Sequence, residues 1–195
     1  MRKIKNFKIN LRVKKISQTV RRLLDSVDVS VEFEETVRRC CGFYFKFLSP
    51  SVVYGTFSKG ILPSSACKKE VPSRWVAESV FFVTIGNGLS QEHKKSENVF
   101  GEYTDEIVSV IAADALDQSR NFTQRLIAAE AQCESCKITK IVDIPVDLYD
   151  KFSKFVAIDK IDISVKCGGI NPKYSTCGLF YWVPFGKRRP IKKVV

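Results

Sequence analysis

With 195 residues and a mass of 22.1 kDa, the chain can bury a core of its own without disulfide or metal support. Its formal net charge of +11 sits at the ends: residues 1–22 carry nine Lys and Arg with no acid and residues 187–195 carry five more, leaving eighteen basic against twenty-one acidic residues between them. That placement argues against a nucleic-acid reader, whose cations spread over a folded face among aromatics, and no apolar run approaches the ~20 residues of a membrane span.

In chain order, Phe7-Lys8-Ile9-Asn10-Leu11-Arg12-Val13-Lys14 alternates apolar and polar residues, which predicts a strand with one buried face. Ser17 is a plausible N-cap for a short helix carrying Val20, Leu23 and Leu24. Residues 31–48 follow as a second helix, acidic at its start (Glu32, Glu34, Glu35) and basic later (Arg38, Arg39, Lys46), an order that suits the helix dipole. Strands are expected at 52–57 and 79–85, separated by a loop rich in Gly, Pro and Ser, and the second ends at Gly86-Asn87-Gly88. A long helix is expected from Tyr103 to Ala131, with Ile107, Ile111, Ala115, Phe122 and Leu126 on one stripe that breaks at Gln118. A short helix near Asp147 uses Leu148, Phe152, Phe155 and Val156, and strands at 161–166 and 178–183 close the chain.

Helices and strands without a strict βαβ rhythm predict an α+β fold: one domain over 1–195, a largely antiparallel twisted sheet, and flanking helices of which one is long. Phe81, Phe82, Ile85, Ile111, Phe122, Phe155, Ile163 and Phe180 are expected to share its core. The basic ends, at about 1–6 and 187–195, are expected as flexible arms able to attract an acidic partner. Seven cysteines with no framework spacing, and a basic N-terminus with no apolar stretch behind it, predict reduced thiols in the cytoplasm.

Catalytic machinery is sparse. Cys133-Glu134-Ser135-Cys136 is a CxxC, but a structural zinc site needs four ligands, so no metal is expected. The only histidine, His93, lies in a polar stretch, and no Cys–His or Ser–His–Asp order stands out, although Cys67 or Cys133 could in principle pair with it. On the residues alone, a binding or accessory role is favoured over an enzyme acting by itself.

Several segments share their order with a known family. They are Phe7-Lys8-Ile9-Asn10 through Leu24; Val83-Thr84-Ile85-Gly86 followed by Leu89; Gly101-Glu102-Tyr103 leading into Ile111-Ala112-Ala113-Asp114-Ala115-Leu116; and the stretch from Asp159 through Asn171-Pro172-Lys173-Tyr174-Ser175 to Gly178-Leu179-Phe180-Tyr181. Over residues 7–186 the chain resembles the activation domain of cobalamin-dependent methionine synthase, in its short free-standing form. The resemblance implies S-adenosylmethionine as cofactor and a cobalamin carried by a partner methionine synthase or corrinoid methyltransferase. It also implies a flavodoxin-type electron donor, with this chain an accessory subunit for reductive reactivation. It points to Thr84, Gly86, Pro172 and Ser175 near the functional cleft. The family's Arg-x-x-x-Gly-Tyr loop and its helix Glu are absent, and Asp117, Arg120 and Lys140 are the substitutes on offer. The alternative is a non-catalytic binding protein that kept the fold, lost S-adenosylmethionine binding, and contacts an acidic partner or RNA.

Overall fold

The fold is organised by two adjacent strands that are apolar on both faces. In the computed structural model, which describes residues 1–24, 31–63, 71–96, 100–101, 103–166 and 169–186, these are β3 (Ala77–Thr84) and β8 (Ser175–Pro184), paired antiparallel with Phe81 opposite Gly178. β2 (Ser51–Ser58) pairs with the far side of β3, and β1 (Arg2–Lys5) forms the edge beyond it. On the other side, β4 (Cys136–Ile138) and β5 (Val142–Asp143) pair with successive parts of β8. β6 (Ser164–Lys166) and β7 (Gly169–Asn171) make a separate hairpin, and every pairing is antiparallel.

Helices cover both faces, so alternate strand residues serve different cores. α4 (Thr104–Cys133) sets Ile127 and Ala131 against Val52, Tyr54, Phe81, Val83 and Phe180. On the opposite face Val53, Val80, Phe82 and Tyr181 pack on the region around α5 (Tyr149–Ser153), with Phe152, Val156, Ile161 and Ile163. A third cluster joins α1 (Val13–Leu23), α2 (Val31–Tyr44) and the first half of α4, and receives Ile85 and Leu89 as the chain leaves β3 for α3 (Gly88–Lys95). β3 and its exit thus feed all three clusters, which makes the chain one domain. The α+β class, the antiparallel sheet and the long helix are as expected.

Several details differ from the sequence reading. The eight expected core residues divide among the three clusters, with Phe122 and Phe155 only half-buried, because a sheet covered on both faces splits neighbours such as Phe81 and Phe82. The first strand is at 2–5, inside the stretch expected to be a flexible arm, while residues 187–195 lie outside the described residues. Residues 7–12 are neither strand nor helix, and α1 begins at Val13 because Ile16 and Val20 need helical spacing to reach the core. Ser17 is therefore a buried residue inside the helix rather than its cap. The apolar stripe of α4 runs on through Ser119 and Thr123, whose hydroxyls donate to carbonyls one turn back. Residues 158–161 form a 3-10 turn, so the expected strand at 161–166 shrinks to β6, outside the main sheet.

Candidate functional site

The end of β3 and the start of β8 build one wall of a polar cleft. Thr84 stands opposite Ser175 in the ladder, and its hydroxyl is the centre of a small network. It accepts from the Ser175 hydroxyl at 2.8 Å and from the Gly86 amide at 3.0 Å, and donates to the Tyr174 carbonyl at 3.4 Å. The Ile85 amide reaches the same carbonyl at 3.2 Å, so the turn after β3 is tied to the chain before β8. Gly86 takes φ +80, and a Cβ there would lie 3.1 Å from the Ser49 Cβ, so the turn needs glycine for both conformation and space.

The cleft beside this network has a volume of about 480 Å³, within the range of small-molecule sites. Thr84, Gly86, Ser49 and Ser51 contribute to one side, and Asn171 and Pro172, joined by a cis peptide bond, to another. Lys5 and Asp162 meet at its rim, Nζ to Oδ2 at 2.9 Å. This ion pair, Ser49, Ser51 and the residues Asn6, Asn87 and Asn171 are the polar lining that sequence reasoning missed. By its pattern the sequence puts Lys5 in a terminal arm and Asp162 in a strand, and only the β1–β2 pairing and the left-handed turn at Asp162 bring the two together.

Four of the seven candidate residues are thus brought together: Thr84, Gly86 and Pro172 line the cleft, and buried Ser175 braces Thr84. The other three are not part of it. Asp117 lies on α4 with its carboxylate 2.7 Å from the Arg12 guanidinium and 3.7 Å from the Lys15 ammonium. Burial works against its ionisation, but the hydrogen bond from Arg12 and the charge of Lys15 outweigh burial and hold its carboxyl below the usual 3.8. The Arg120 guanidinium is ion-paired with Asp143 of β5. Lys140 is exposed in the connection between β4 and β5.

The other sites raised by the sequence resolve separately. Cys133 is exposed at the end of α4 while Cys136 is buried in β4, where desolvation raises its thiol pKa. His93 belongs to α3 and faces Asp105, Nε2 to Oδ1 at 3.0 Å, far in sequence from Cys133; Cys67 lies outside the described residues. No helix among the described residues is long and apolar enough to cross a membrane.

In sequence, no family model and no curated protein matches the chain. In structure, the chain is similar to the MetH reactivation domain, solved as a crystal structure bound to AdoHcy. The likeness covers 96% of this chain and 79% of that one, with a TM-score of 0.59 and 12% identity. Likeness at that identity is a likeness of fold: this chain folds like a methionine synthase reactivation domain.

Proposed function

We propose that the chain is an accessory module for reductive reactivation of a cobalamin-dependent methionine synthase or a related corrinoid methyltransferase. The observation that carries this reading is the fold likeness across nearly the whole chain to a reactivation domain whose crystal structure holds AdoHcy. The cleft at Thr84 and Pro172 is the place we assign to the cofactor. Its donor set suits the amino-acid end of S-adenosylmethionine, which needs a cation for its carboxylate and a carboxylate for its ammonium. Lys5 and Asp162 supply one of each, flanked by hydroxyls and amides. Asp117 and Arg120 do not line this cleft; they sit elsewhere on α4, ion-paired with Arg12 and Asp143.

In this reading S-adenosylmethionine supplies a methyl group, the partner methyltransferase carries the cobalamin, and a flavodoxin-type protein delivers the electron. This chain's residues bind and orient: the Thr84–Ser175 network fixes the wall, and Lys5 and Asp162 hold the charged end. Two measurements test it. Calorimetry should give saturable binding of S-adenosylhomocysteine, weakened at least about tenfold (~1.4 kcal/mol) in Asp162→Asn and Lys5→Met. Methionine formation by a methionine synthase lacking its reactivation domain should recover from inactivation only when this chain, S-adenosylmethionine and a reductant are all present. Without ligand binding and without recovery, the reading fails, and a binding protein that keeps only the fold takes its place.

A further inference from the structure

Residues 7–12 keep the in-and-out alternation of a strand although no strand among the described residues pairs with them. Ile9 is buried, Phe7 and Leu11 are half-buried, and Lys8, Asn10 and Arg12 face outward. The Asn10 backbone is held at both ends by the Gln118 amide, at 3.1 and 2.7 Å, and the Arg12 amide donates to Asp114 at 3.2 Å. Among the described residues, the backbone N–H and C=O groups of Phe7, Lys8, Ile9 and Leu11 have no such partner. A segment with alternating burial and unpaired backbone groups offers what a sheet edge offers, a template for another strand.

The surroundings say what kind of strand. A trough of about 550 Å³ runs between residues 6–9 and residues 45–50. Phe45 is 43% exposed on its wall, and exposed Lys8 and Lys46 also line it. Neither lysine joins an ion pair among the described residues. We propose that this segment is a docking rail for an extended acidic segment of a partner protein. That segment adds as a strand beside residues 7–11, sets carboxylates against Lys8 and Lys46, and rests an apolar side chain on Phe45. Main-chain hydrogen bonds supply affinity in this mode and alternate side chains supply selectivity. A single-stranded nucleic acid would satisfy the two cations but brings no ladder of N–H and C=O groups to match the rail.

The test uses the full chain and a fluorescent, end-capped peptide of about six residues, a usual strand length, alternating Glu and Val. Anisotropy should show saturable binding that weakens with salt. Lys8→Glu with Lys46→Glu should weaken it at least about tenfold, because reversing charges beside the docking trough opposes the encounter. Both side chains are exposed, and far-UV circular dichroism verifies that the variant is folded. On the unaltered protein, N-methylating alternate peptide amides should abolish binding, and the unmodified peptide should slow amide exchange at residues 7–11. Absent binding, equal binding of the N-methylated peptide, or tighter binding of an oligothymidine of the same charge would each overturn the proposal.

Discussion

At the scale of single residues, burial decides more than chemistry. Phe82 is fully buried in β3 and packs edge-on against Tyr149 at a ring separation of 6.0 Å. Phe82→Ala should cost about 3–5 kcal/mol in chemical denaturation, transfer and cavity contributions combined; a loss below about 1 kcal/mol would mean that the site collapses around the smaller residue. Tyr54 offers a pH signature. Burial, reinforced by its 2.6 Å hydrogen bond to Glu130, raises its phenol from 10.0 to about 12. The unfolded chain releases this proton near 10 and the folded chain holds it further up. The stability it contributes is therefore complete below about 10 and is lost as pH rises toward 12. Urea unfolding compared at roughly pH 9 and pH 11 should show an alkaline loss that is smaller in Tyr54→Phe.

At the scale of elements, the N-terminal segment shows how an alternating pattern and a strand come apart. Residues 7–12 have the alternation, yet the Asn10 backbone and the Arg12 amide bond to α4 side chains. Asp114, with a side chain only 3% exposed, takes both the Arg12 amide and its guanidinium, the latter at 2.7 Å through Nε. Asp114→Ala should cost about 1.5–3 kcal/mol, the range for hydrogen bonds to a charged group, and should speed amide exchange at Asn10 and Arg12. Unchanged exchange would mean that the apolar contacts of Phe7 and Ile9 hold the segment by themselves. In α4 the break seen at Gln118 has the same origin. Gln118 serves the Asn10 backbone, while the buried stripe passes one position later through Ser119.

At the scale of the whole molecule, β3 and its exit tie the three clusters together: Val80 and Phe82 serve one, Phe81 and Val83 another, and Ile85, just past the strand, the third. Unfolding should therefore be one event. Tryptophan fluorescence, which reports on the sheet through buried Trp182 and through Trp75 against Tyr181, and far-UV ellipticity, dominated by the helices, should give the same urea midpoint. Two midpoints would show the helical cluster unfolding apart from the sheet.

The sequence by itself determined the α+β class, the long helix, the two central strands and the Thr84–Gly86 turn. Each of these is written in local periodicity or in a glycine at a backbone conformation that other residues rarely adopt. Its likeness to a known family also pointed to Thr84, Gly86, Pro172 and Ser175, which the fold gathers at one cleft. Only the tertiary structure decided which side chains share that site. Lys5 and Asp162 stand 157 positions apart and meet because β1 pairs with β2 and a turn aims Asp162 at the same rim. Asp117 and Arg120 were drawn into other ion pairs for the same reason. Strand pairing and charge neutralisation act between residues distant in sequence, and a one-dimensional pattern carries periodicity but not proximity.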